Sequence, residues 1–137
     1  MCPSSFTLLG LALALGGCAA CGDWYNTRGI TRDLPKVVAP TGVALPALAC
    51  GWVSGTRTGY CEGRLPPDQV ERIRVGLAMQ PATPGAARPN PQGCRARSGF
   101  EHAPAFYRGL PGTGFNYTSL HVGSDGHFCM ELEYGYS

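Results

Sequence analysis

The chain reads as an α+β protein: a small β-rich domain with a C-terminal β-hairpin, a short helical turn and disulfides. Three observations carry that expectation. Residues 118–122 and 127–136 alternate apolar and polar side chains, the period of a half-buried strand. Pro67 followed by Asp68-Gln69-Val70-Glu71 has the form of a helix start. Cys50, Cys61, Cys94 and Cys129 are spread through 137 residues that include 20 glycines and 12 prolines, a loop-rich composition suited to disulfide stapling.

Side-chain facing tests the register of the C-terminal hairpin. A two-residue Asp125-Gly126 turn sets Leu120 opposite Glu131. A three-residue loop, Ser124-Asp125-Gly126, sets Leu120 opposite Met130 and Val122 opposite Phe128. The second joins apolar to apolar. It also puts Gly126 at the left-handed position of a type I turn with a G1 bulge. Phe128, Met130, Leu132 and Tyr134 then face the core, and His121, His127, Cys129, Glu131 and Glu133 share the other face. Replacing Glu131 there is expected to cost little.

The remaining elements are read from the N-terminal side. Residues 22–41 show no clean period and read as a tether, with Trp24 and Tyr25 near its membrane end. Residues 42–64 read as two strands around Ser54-Gly55-Thr56, with Cys50 and Cys61 on opposite arms. Over 66–79, Val70, Ile73 and Leu77 share a helical face, while Ile73, Val75, Leu77 and Met79 alternate as in a strand. The reading is a helical turn at 67–72 and a strand at 72–79. Four prolines make 80–98 a long loop. A helical turn is expected at 103–108. The expected disulfides are Cys50–Cys61 and Cys94–Cys129.

The first 21 residues, MCPSSFTLLGLALALGGCAAC, set the location. An apolar run from Phe6 to Leu15 is too short to span a bilayer and has the length of a signal-peptide core. Leu15-Gly16-Gly17-Cys18 resembles the lipobox of bacterial lipoproteins: an aliphatic residue, two small residues, then cysteine. The resemblance covers the leader alone. It implies a signal peptide at 1–17, an acylated tether at 18–41 and a globular domain at 42–137. It implies lipidation of Cys18 and firm anchoring, since two or more chains hold a protein stably where one does not. Ala19 after the cysteine implies the outer membrane, facing the periplasm or the surface. Acylation at Cys21 is the alternative, because it leaves an even number of cysteines; with Cys18 modified, Cys21 is a spare thiol.

Chemistry-bearing motifs are few. A net charge of +2 argues against a nucleic-acid partner. Gly51-Trp52-Val53-Ser54-Gly55 misses the spacing of a nucleophile elbow, and Gly109–Gly114 lacks the Gly-Lys-Ser/Thr of a phosphate loop. His121, His127, Cys129 and Glu131 form a nitrogen and sulfur donor set, but Cys129 is assigned to a disulfide, so no metal, cofactor or catalytic residue is expected. Arg88, Arg95, Arg97 and Arg108 lie in a stretch holding one acid, Glu101, and make a candidate anion-binding patch. The functional expectation is a non-catalytic binding or structural protein of the envelope. Its partner is an envelope protein or an anionic cell-wall glycan. A periplasmic inhibitor or immunity lipoprotein that blocks a hydrolase is the alternative; a hydrolase or metal enzyme is the weakest reading.

Overall fold

A computed structural model describes residues 11–83 and 88–135, with side chains from residue 21 onward. Six antiparallel strands form one sheet: β1 (Ala49–Trp52), β2 (Thr58–Arg64), β3 (Gln80–Pro81), β4 (Ala105–Gly109), β5 (Phe115–Val122) and β6 (His127–Tyr134). Their spatial order is β1-β2-β6-β5-β4-β3. Two helices, α1 (Leu11–Val38) and α2 (Pro67–Gly76), complete the α+β fold.

One sheet face and the two helices make the main core. Phe128, Met130 and Leu132 of β6, Leu120 of β5 and Cys61 of β2 pack against Ile30, Leu34 and Val38 of α1 and Val70 and Ile73 of α2. The α1 contributors recur every four residues, the spacing of one helical face. Gly59 lets that helix come close: a Cβ there would stand 2.6 Å from Ile30 Cδ1. The Tyr134 hydroxyl donates to Asp33 at 2.8 Å, tying the end of β6 to α1. Arg32 beside Asp33, with Tyr134 and Lys36, holds that carboxyl below its usual range against the opposing effect of burial.

Several expectations need correction. Residues 22–38 are helix rather than tether, and Ile30, Leu34 and Val38 belong to the core. Residues 67–76 are helical throughout: Ile73 is enclosed while Val75 is 61 % exposed, which a strand alternation cannot give. No part of the strand expected at 72–79 forms, and the first extended residues after α2 are Gln80–Pro81. The helical turn expected at 103–108 is strand β4, pairing with β5. In the unmodified chain Cys21 is disulfide-bonded; the spare-thiol expectation applies to a chain acylated at Cys18.

Both domain disulfides are as expected. Cys50 and Cys61 face each other across β1 and β2, with Cα atoms 4.0 Å apart. Cys94–Cys129 joins the long loop to β6 across a separation of 35 residues. On the chain-entropy model such closures contribute about 3 and about 4 kcal/mol respectively.

The hairpin register is also as expected, with Leu120 opposite Met130 and Val122 opposite Phe128. The turn differs in detail. Asp125 and Gly126 both have positive φ, 53° and 78°, and His127 N–H donates to Ser124 O at 2.9 Å. That is a two-residue primed turn. Gly123 N–H also donates to His127 O, so Gly123 and Ser124 together oppose His127, a bulge that restores the apolar register. Gly126 is needed twice over, because a Cβ there would lie 1.8 Å from Leu65 O.

Gly126→Val should therefore lower the denaturation midpoint sharply, through both backbone strain and the clash with Leu65. Met130→Ala should cost about 2–5 kcal/mol as a fully buried truncation. A wild-type midpoint for Gly126→Val in urea titration would refute this account of the turn.

Candidate functional site

The face of the sheet turned away from the helices carries Tyr60 and Glu62 of β2, Tyr117, Ser119 and His121 of β5, and Cys129 and Glu131 of β6. Sequence alternation puts polar groups on this side. It is not a solvent face. Residues 88–104 lie over it, and Ser119, His121, Cys129 and Glu131 are enclosed.

Glu131 explains why the loop stays down. Its Oε1 accepts from Asn90 N–H at 2.9 Å and from the Tyr117 hydroxyl at 3.0 Å. Its Oε2 accepts from Cys94 N–H at 2.9 Å. A carboxylate without water needs such donors, and the loop backbone supplies two of them. Gly93 makes the approach possible, since a Cβ there would be 2.6 Å from Glu131 Oε2. Burial, then the charge of Glu131, pushes the Tyr117 phenol up, so it remains a donor. The expectation that Glu131 is dispensable is thus overturned: its face was read correctly, but the loop covers it.

Further clamps act beside it. The Cys94–Cys129 disulfide packs with Phe100 in a second small core, against Tyr60 and Ala103. A 3-10 turn at Cys94–Ala96 carries the loop onward to Arg97, whose guanidinium meets Glu62 at 2.6 Å and lies over the Tyr60 ring. His127 Nε2 stands 3.1 Å from Glu62, and its ring packs on Phe100 at 4.5 Å between centroids. Burial pushes the Glu62 carboxyl up, but the hydrogen bond and charge of Arg97, with His127, outweigh it and hold the group below its usual value.

The four arginines of the expected patch are only partly brought together. Arg88 and Arg95 line one groove of about 620 Å³ between the loop and the β3–β4 edge, with Pro89, His102, Pro104 and Phe106. Arg88 reaches Glu133 at 3.3 Å and lies over Tyr117; Arg95 reaches the Glu101 carbonyl at 3.5 Å. Arg97 is committed to Glu62. Arg108 donates to Leu77 O at 2.7 Å and lines a different groove, with Lys36, Leu110 and Phe115. His102 joins the first groove and was not singled out in the sequence. Its signal, an exposed histidine among Arg95, Arg97 and Arg108, was present but weak. The expected donor set is also redistributed: His127 turns to Glu62 and Cys129 is in its disulfide.

The chain matches no family model, no curated protein and no solved structure.

Glu131→Ala should cost about 3–5 kcal/mol, because it strands the Asn90 and Cys94 amides and the Tyr117 hydroxyl without an acceptor. Urea midpoints check this; a loss under about 1 kcal/mol would show that the latch contributes no more than an average hydrogen bond.

A carboxyl with a depressed folded-state pKa contributes stability above its unfolded pKa and loses it as pH falls through the folded value. The Glu62–Arg97–His127 contact should therefore be full near neutrality and fade below the ordinary glutamate range. Glu62→Gln should remove that part of the acid sensitivity. Superimposable acid limbs for the two proteins, in midpoints measured across pH, would contradict it.

Proposed function

We propose that the chain is a non-catalytic binding protein of the bacterial cell envelope, held to the membrane by a lipid on Cys18. An acidic partner, a carboxylate-bearing cell-wall glycan or an acidic envelope protein, occupies the groove of Arg88, Arg95 and His102. The observation that carries this reading is the clamped loop. Glu131, the Cys94–Cys129 disulfide and the Arg97–Glu62 pair fix the wall on which those cations stand. Pre-organised guanidiniums lose little freedom when they take up a carboxylate or phosphate.

The location rests on Leu15-Gly16-Gly17-Cys18 and is supported by disulfides suited to an oxidising compartment. No helix among the described residues is long and apolar enough to cross a membrane. Helix α1 includes the backbone of Cys18 and runs from there into the core. The same loop bracing favours a second reading, a periplasmic inhibitor or immunity protein that wedges residues 88–104 into a hydrolase.

Palmitate labelling and capture from solubilised envelope test the proposal together. Cys18→Ser should abolish labelling and release the protein; persistence of label, with loss in Cys21→Ser, moves the anchor to Cys21. The double variant Arg88→Ala/Arg95→Ala should weaken capture of its partner by about tenfold or more, since each charge-assisted contact is worth about 1.5–3 kcal/mol. Equal capture by wild type and double variant would remove the groove from the reading. Capture of a hydrolase, with its activity suppressed, would select the inhibitor.

A further inference from the structure

Beneath the same loop, apart from the groove, lies a set of donors that the clamps do not exhaust. Cys94, His121 and Glu131 are all buried, and one ligand atom from each lies within 4.8 Å of the others. His121 is fully enclosed, and neither ring nitrogen has a hydrogen-bond partner. Its Nε2 stands 3.4 Å from Glu131 Oε2. A buried imidazole with Nδ1 unpartnered and Nε2 in no more than a long contact with Glu131 leaves donor capacity that the surrounding side chains do not use. Sulfur, nitrogen and carboxylate oxygen at this spacing are donors for zinc. One bond closes the set: Cys94 Sγ is joined to Cys129 Sγ. The thiolate is the ligand, and the disulfide sulfur is not.

We propose that the Cys94–Cys129 disulfide is the closed form of a thiol-gated zinc site built from Cys94, Cys129, His121 and Glu131. A dithiol opens it. The dithiol gives up two electrons and two protons and becomes a disulfide; the Sγ–Sγ bond breaks, and Cys94 and Cys129 become thiols. Zn²⁺ then binds both as thiolates, releasing their two protons, together with neutral His121 and the Glu131 carboxylate. The division of labour on Glu131 suits this. Oε1 keeps the Asn90 amide and the Tyr117 hydroxyl, while Oε2 is the oxygen turned toward Cys94 and His121. Cys129 is the cross-strand partner of His121 and shares its face. The metal thus takes over the loop clamp when the covalent one is opened. This holds whether or not the groove binds an acidic partner.

The test uses the full chain in detergent micelles, in a Cys50→Ser/Cys61→Ser background. It is reduced with dithiothreitol, desalted without oxygen and titrated with Co²⁺ as a spectroscopic stand-in for zinc. The reduced protein should bind one equivalent with thiolate charge-transfer and tetrahedral d–d bands, and Zn²⁺ should displace it. The oxidised protein should show neither band. Glu131→Gln keeps an acceptor for the loop amides, and His121→Gln keeps similar bulk. Each should weaken Co²⁺ binding by more than about tenfold, since even outer-shell losses cost about 10–100-fold. Circular dichroism of the oxidised variants separates lost ligands from lost fold. A reduced protein without the charge-transfer band overturns the proposal. So does equal Co²⁺ affinity in wild type and both folded variants, which would put the metal on the cysteines at positions 2, 18 and 21.

Discussion

A carboxylate placed in the middle of a sheet and denied water must find donors, and the organisation of the loop side follows from that need. Glu131 sits on β6, flanked by β2 and β5, where neighbouring strands use the backbone groups for pairing. Its acceptors are met by one hydroxyl from β5 and two amides from residues 90–94. Lifting that loop gives up both amide contacts to the carboxylate and exposes the face that it covers. The disulfide and the Arg97–Glu62 pair act on the same segment, so its position is fixed by covalent, ionic and hydrogen-bonding contacts at once.

The two faces of the sheet are held by different physics. On the helix side, aliphatic side chains of α1 and α2 meet Leu120, Phe128, Met130 and Leu132, and area removed from water dominates. On the loop side, residues 88–104 contain no regular element longer than a three-residue turn, and their few apolar anchors are Cys94, Phe100 and Ala103. Directional contacts do there what burial does on the other face. Such contacts tolerate substitution poorly but specify one geometry.

What was legible in the sequence had a local period. The β5–β6 register could be chosen because only one slip joins apolar to apolar, and the β1–β2 hairpin because turn residues separate two cysteine-bearing arms. Helix α1 was missed although Ile30, Leu34, Val37 and Val38 recur at helical spacing; Gly22, Gly29 and Pro35 dilute the pattern. In and just after α2, Ile73 and Leu77 belong to both the helical and the alternating pattern, and the exposed Val75 decides between them. The burial of Glu131 was not legible, because its cover comes from residues some forty positions earlier, and no local pattern in β6 encodes a loop arriving from there. For the same reason the arginines could be named as a group but not divided between two grooves and two ion pairs.

The outer strand beside the cation-lined groove is β3, two residues long and ending in Pro81. Proline has no amide hydrogen to offer, and so short a strand gives an incoming chain little to pair with. Neither a second copy of this sheet nor an extended peptide can readily continue the ladder from that side. Whatever approaches there meets charge and shape rather than main-chain pairing, and this edge is spared the edge-to-edge polymerisation to which open sheets are prone.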